Sequence, residues 1–377
     1  VMSRSVPFFK TIQRKTDRVG LITRENLSGA RVVRAFRKQQ QEQQRFDEAC
    51  DDLARNTIHI GKLNAVLAPF SFLILNLGIV AILWFGGVRV NAGSMTQGEV
   101  VAFVNYMNQI LLALVVVANL VVVFTKAAAS AARVNEIFDT VPSVNDRNND
   151  EVRPVSGAAR ISFKNVDFNY YEGAAEALHH INVDIMPGES VGVIGGTGSS
   201  KSTMVQLIPR LYDATSGQVL VDGVDVKRYP LWQLHAKIGM VPQGNLLFSG
   251  TIRENLQWRM PGATDEQLWA ALETAQAAEF VRKLPMGLES PVSQGGANFS
   301  GGQKQRLTIA RALVGAPDIL ILDDSSSALD YATDAALQQA LHRMKPMPTV
   351  ITVSQRVSTV KRCDRILVMD EGEIVGS

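Results

Sequence analysis

The sequence predicts a multidomain fold class: an all-α transmembrane helical hairpin with long cytoplasmic helices, followed by an α/β domain. Three observations predict it. Two runs of 26 residues, 63–88 and 100–125, contain no charged side chain, and each is long enough to cross a hydrocarbon core of about 30 Å as a helix. From about Ile161 the pattern changes to short β-rich runs alternating with helices, which is how an α/β domain reads. Between one such run and the next helix lies a glycine-rich turn that ends in a lysine.

The first 61 residues are too polar for lipid, yet Leu21, Leu27, Val32, Val33 and Phe36 recur at helical spacing. They predict a helix, a break near Ser28-Gly29, and a second long helix leading to the membrane. Spans are expected at about 62–88 and 99–125, joined by the short "RVNAGSMTQGE". So brief a link makes them a hairpin whose outer ends share one side. Residues 1–62 hold roughly twice as many Lys and Arg as Asp and Glu, which places that side in the cytosol. Core helices of a large soluble protein are the alternative, but such helices rarely run 26 residues without a charge. The second span continues as a helix to about residue 140 and dissolves into an Asn/Asp/Pro-rich linker at 141–157. The remainder, 158–377, is the α/β domain. With 46 % apolar and 20 % charged residues and a net charge of +2, composition fits a membrane protein and carries no strong electrostatic signal for a partner. Cys50 and Cys363 lie too far apart in sequence to suggest a zinc motif or disulfide framework, so reduced thiols are expected.

In "ESVGVIGGTGSSKSTMVQLI" an apolar strand runs into Gly195, Gly196, Thr197, Gly198, Ser199 and Ser200, then Lys201, Ser202, Thr203 and an apolar helix. Such glycines let backbone N–H groups curl around phosphates, the helix start adds partial positive charge, Lys201 neutralises the terminal phosphates, and the Ser202 hydroxyl can ligate magnesium. The Walker A pattern asks for glycine where Ser200 stands. If that position needs a left-handed backbone, Ser200 strains the loop; if it does not, its hydroxyl is one more polar group near phosphate. Downstream, "NFSGGQKQRLTIARAL" leads into "ILILDD", placing Asp323 at the end of a strand where a Walker B aspartate would hold the Mg²⁺ shell.

Ser300, Gly301, Gly302 and Gln303 form "SGGQ", about 20 residues before that aspartate. With the Walker motifs in this order, the chain resembles the ATP-binding cassette (ABC) family, and the resemblance extends over its whole length. It implies an ABC ATPase domain using ATP and Mg²⁺. "FNYYEG" looks like the aromatic loop, with Tyr170 the candidate to stack on adenine and Tyr171 equally well explained by strand packing. "MVPQGNLLFSGTIRENL" looks like the Q-loop, where Gln243 would reach the metal and the attacking water, and "SALD", from Ser327 to Asp330, matches the D-loop. The hairpin fused to one cassette is similar to the back end of an exporter half-transporter, with "RENLSGARVVRAF" resembling a cytoplasmic coupling loop. On that resemblance the earlier transmembrane helices and the C-terminal end of the cassette are absent from this sequence.

Several positions depart from the family. Asp324 stands where most cassettes have a catalytic glutamate, with a reach shorter by about one bond length, roughly 1.5 Å. Gln355, in "ITVSQRVST", stands where a switch histidine is usual and cannot carry positive charge toward phosphate. Gln294 replaces a glutamate common in exporters. The signature is whole. This combination resembles the subunit with a degenerate site in a heterodimeric multidrug-type exporter, which binds ATP at a slow site and donates its signature to a partner half-transporter. The alternatives are a homodimeric exporter with weak ATPase, a regulatory subunit without turnover, and a soluble ABC-type ATPase of DNA repair or chromosome maintenance. The two spans speak against the last, so no nucleic acid is expected as a partner. A multi-pass location in the cell membrane with a cytoplasmic cassette follows; the cargo, whether small molecule, peptide or lipid, is open.

Overall fold

The computed structural model describes residues 2–146, 150–171, 173–325 and 328–377. The chain divides into two compact units, Val1–Thr140 and Val141–Ser377. The first is helical: α1 (Met2–Ser28), α2 (Ala30–Ala35), α3 (Gln39–Asn91) and α4 (Gln97–Asp139). The expected break falls at Gly29, and a second break at residues 36–38 sets off the six-residue α2, which periodicity alone did not separate. α1 returns along α3, held by an ion pair from Lys15 to Asp52 and by one from Arg45 to Glu25 at 3.1 Å, around the buried Ile22.

The first charge-free run lies inside α3 and the second inside α4. A turn at residues 92–96 joins them, and a reciprocal cap opens α4: Glu99 N–H donates to Thr96 Oγ1, while Thr96 N–H donates to the Glu99 carboxylate. A Cβ on Gly86 would lie 2.9 Å from the Val100 side chain, and one on Gly78 3.0 Å from Met107. The two helices therefore run antiparallel in close contact, as small residues permit. Within α3, Phe72–Asn91 is 20 residues long and apolar enough to cross a membrane. Leu77, Leu83, Trp84, Phe85, Leu112, Leu120, Val123 and Phe124 point outward from this pair. Exposed apolar side chains in such density suit lipid or further helices, since water would penalise them.

The second unit is built on two sheets. An antiparallel sheet has the order β2 (Leu178–Ile185), β1 (Ile161–Phe168), β4 (Ser216–Val221), β5 (Val224–Asp225). A mainly parallel sheet has the order β12 (Glu373–Gly376), β11 (Arg365–Asp370), β3 (Ser190–Gly195), β10 (Thr349–Val353), β9 (Ile319–Asp323), β6 (Ile238–Val241). A small ribbon pairs β7 (Gly250–Thr251) with β8 (Pro291–Val292). The helices are α5 (Lys201–Leu207), α6 (Leu231–Lys237), α7 (Ile252–Leu256), α8 (Asp265–Thr274), α9 (Ala278–Arg282), α10 (Gly301–Leu313), α11 (Tyr331–Arg343) and α12 (Val357–Val360).

Strand β9 explains why the run "ILIL" has no polar alternate. Ile319 and Ile321 pack into the core between the sheets, with Val193, Met204 and Ile351, whereas Leu320 and Leu322 face the opposite core with Leu268, Leu307 and Leu337. A central parallel strand buries both faces. Pairing places Val353 beside both Asp323 and Val193, so β3, β9 and β10 end together. Their carboxyl ends form the edge where α/β sheets collect ligands.

Candidate nucleotide-binding site

At that edge lies a cleft of about 260 Å³ lined by Thr197, Gly198, Ser200, Lys201, Ser202, Thr203, Gln243, Asp323, Asp324, Val353, Ser354 and Gln355. Three separate strand ends and the exposed Gln243 loop thus converge on one hollow. Gly195 and Gly196 precede the lining residues in sequence and are not themselves part of the lining. At Gly195 a Cβ would stand 2.1 Å from the Met369 carbonyl oxygen, so only glycine lets β3 pass so close to β11. Ser199 is buried and turns its hydroxyl to the Gly196 carbonyl at 2.9 Å.

The Lys201 ammonium lies folded into this loop, donating to the carbonyls of Gly195 and Gly196 at 3.0 and 2.6 Å and to Ser199 Oγ at 3.1 Å. Burial lowers its pKa, and the nearby carboxylates of Asp323 and Asp324 work against that shift. Ser202 Oγ donates to Asp323 Oδ1 at 2.9 Å. Asp323 is 2 % exposed, and burial raises its pKa; the Ser202 hydrogen bond and the Lys201 charge lower it, while Asp324 adds to the rise. The floor of the cleft is therefore a buried carboxylate and a half-buried hydroxyl beside a buried ammonium.

Two of the four departures from the family pattern share a backbone feature. Ser200 precedes α5 with φ 64° and ψ 23° and makes no side-chain cap to the helix, and Asp324 has φ 49°. Both are in the left-handed region, which costs a residue with a Cβ about 1–2 kcal/mol relative to glycine's freedom. Gln355 is exposed at the rim. Tyr170 is half-exposed: its hydroxyl meets Thr203 Oγ1 at 2.8 Å, and its ring stands edge-on to Phe168 and Tyr212 at 4.9 and 5.3 Å. The aromatic side of the site is thus attached to α5. Tyr171 is exposed.

Ser300, Gly301, Gly302 and Gln303 do not line this cleft. They open α10, where Ser300 Oγ accepts from the Gln303 N–H at 3.4 Å and Gln303 Oε1 accepts from the Ser300 N–H at 2.9 Å. Ser300 and Gly301 are exposed, a helix N-terminus presented outward. Gln294 is exposed in a short 3₁₀ turn. Ser327 lies outside the described residues, while Asp330 caps α11 by accepting from the Thr333 N–H at 2.9 Å.

The profile of the family described as "ABC transporter" matches residues 178–327, and that of the "ABC transporter transmembrane region" matches residues 1–115. The chain belongs to the ABC transporter family. It is similar to an ABC transporter ATP-binding protein of Mycobacterium bovis, 38 % identical over all of this chain and 65 % of that one. An ATP-dependent lipid A-core flippase of Syntrophus aciditrophicus is 35 % identical over 94 % of this chain and 58 % of its own length. Among solved structures, a bacterial Atm1-family ABC exporter with ATP bound superposes with a TM-score of 0.84 at 28 % identity, over 99 % of this chain and 65 % of that chain. The chain thus spans about 65 % of the length of the first of these relatives. It is a membrane protein with an ABC transmembrane region fused to a cytoplasmic ATP-binding domain.

The residues present fit a magnesium nucleotide. Nothing would obstruct a Cβ at Gly196 or Gly198, so the loop faces open space at the place where phosphates would be cradled. In this ABC transporter Ser202 and Asp323 would hold the magnesium ion, with Gln243 alongside, and bound metal would supply charge neutralisation at the phosphates. Inspection of motifs missed Ser354, which is buried and lines the cleft, and Gln305, which is fully buried on α10. Gln305 had a signal. It shares the apolar face of α10 with Thr308, Ile309 and Ala312, where a glutamine needs partners.

Proposed function

We propose that this chain belongs to a subunit of an ABC exporter that binds MgATP in its own degenerate cleft and donates an intact signature turn to the hydrolytic site of a different half-transporter. The observation that carries the reading is the contrast within one domain. Ser200, Asp324 and Gln355 all line the same cleft, whereas residues 300–303 form an unaltered, outward-facing helix start. In the cleft, Lys201 and the loop amides would bind phosphate and Gln243 would orient water, while Asp324 is the short carboxylate in the base position. Gln355 can hydrogen-bond phosphate but cannot bring positive charge to it. ATP would therefore be held longer than it is cleaved. Among cargo classes, the names of relatives, a lipid A-core flippase and a fatty acid ABC transporter, favour a lipid. The domain limits we propose are 1–140 for the membrane part, 141–157 for the linker and 158–377 for the cassette.

Steady-state ATPase of the complete transporter tests the asymmetry. Asp324→Ala should lower turnover by no more than about 3-fold, because the group removed is already badly placed as a base. Ser300→Ala with Gly301→Glu should lower it by about 10²-fold or more, since donors to developing phosphate charge are lost and a carboxylate is added. An equal collapse from both would favour the homodimer.

A further inference from the structure

The loop that follows β9 and the turn that opens α10 touch each other within this chain. A Cβ at Gly301 would sit 3.7 Å from the Ala328 Cβ, and one at Gly302 3.2 Å from the Ala328 carbonyl oxygen. One side chain ties the two segments together. Gln305 is fully buried; its Oε1 accepts from the Ala328 N–H at 3.0 Å, and its Nε2 donates toward the Asp324 carbonyl at 3.4 Å. Both functions of the amide are thus used on the two ends of one loop. That loop begins at the altered base position, whose own N–H donates to the Val353 carbonyl at 2.9 Å. On its far side, Arg356, next to Gln355, donates to the Leu329 carbonyl at 3.2 Å.

From this geometry we infer that Gln305 is a positioning residue: it seats Ala328 against Gly301 and Gly302 and so makes the signature turn follow the loop that leaves this chain's own nucleotide cleft. The inference rests on the signature turn acting in catalysis, as proposed above. A buried amide that spans two backbone groups has no water to replace it, and removal leaves the Ala328 N–H unpaired. Occupancy of the slow cleft would in this way set the alignment of the signature presented to the other site.

The test uses the full-length transporter in its native assembly, carrying Gln305→Leu or Gln305→Glu. The leucine removes both hydrogen bonds at similar volume. The glutamate keeps the acceptor for the Ala328 N–H, loses the donor to Asp324, and serves if the leucine variant does not fold. Gln305→Leu should lower kcat for ATP about 10-fold with KM within about 2-fold. It should also speed amide exchange in the peptide holding Ala328 while leaving the peptide around Lys201 unchanged; Gln305→Glu should fall between. Unchanged kcat or unchanged exchange at Ala328 overturns the inference. A uniform rise in exchange across the domain also overturns it, because a mere packing residue would do that. If wild-type transporter shows no ATPase, the functional reading fails on that ground alone, and exchange at Ala328 still decides whether Gln305 fixes the loop.

Discussion

Ser200 is the residue at which a motif departure becomes a physical statement. The sequence left two readings of it, strain or a spare hydroxyl, and its φ of 64° selects strain. Ser200→Gly is expected to stabilise the cassette by about 1 kcal/mol, less a small entropic cost in the unfolded chain. It should also tighten ATP binding, both measurable by thermal melting with and without MgATP. Asp323 supplies a second test. Burial raises its pKa above the ordinary value of 3.8, so between that value and its folded pKa the native state holds the extra proton. Stability from this group therefore falls as pH rises through that window and stays lower above it. Asp323→Asn should accordingly raise the melting temperature at neutral pH, lose that advantage below about pH 4, and weaken magnesium-dependent ATP binding. A variant that melts lower at pH 7 would count against burial as the dominant cause. Lys201 runs the other way: burial lowers its pKa, so the cost of its charge is relieved only as pH rises through the folded pKa toward 10.5.

Helix α10 shows how one element can serve both the fold and the proposed chemistry. Its first turn is closed by the reciprocal cap between Ser300 and Gln303, a device that contributes about 1 kcal/mol, and its buried face carries Leu307, Ile309, Ala310 and Leu313 into the core. The cap and the proposed donor to phosphate use the same hydroxyl and can be separated by substitution. Ser300→Ala should lose about 1 kcal/mol of stability together with activity. Ser300→Asp keeps a strong N-cap and should melt within about 0.5 kcal/mol of wild type, yet abolish most ATPase by setting a carboxylate against phosphate. Retained ATPase in the aspartate variant would mean that this turn meets no phosphate. The strand β9 was readable from "ILILD" because period-two burial on both faces demands uninterrupted aliphatics. The short α2 was not: six residues carry too little periodicity to distinguish a separate helix from a bend.

For the molecule as a whole, the antiparallel pair of α3 and α4 sets a topology that can be checked directly. Ser28 and Ser94 are both exposed, at the end of α1 and in the turn between α3 and α4. A cysteine at position 94 should react with a membrane-impermeant thiol reagent added outside intact cells, and one at position 28 should react only after the membrane is opened. The reverse pattern would place the basic first 62 residues outside and overturn the hairpin's orientation.

The division of labour between sequence and tertiary structure follows from the range of the forces involved. Local and periodic signals were enough for the two charge-free runs that lie inside α3 and α4, the α/β alternation after Ile161, and the glycine-rich turn between β3 and α5, because chain stiffness, burial period and glycine geometry act over a few neighbours. Contacts between distant segments were decided only by folding. The meeting of Ser202 with Asp323, 121 positions apart, required β3 and β9 to flank β10 with their ends level. The attachment of Tyr170 to Thr203 required the antiparallel sheet to lie over α5. Gln305 gained its two partners only because the loop after β9 returns to the start of α10. A linear motif specifies which groups are available; the hydrogen bonds that orient them depend on sheet order and on the close packing of side chains far apart in the chain.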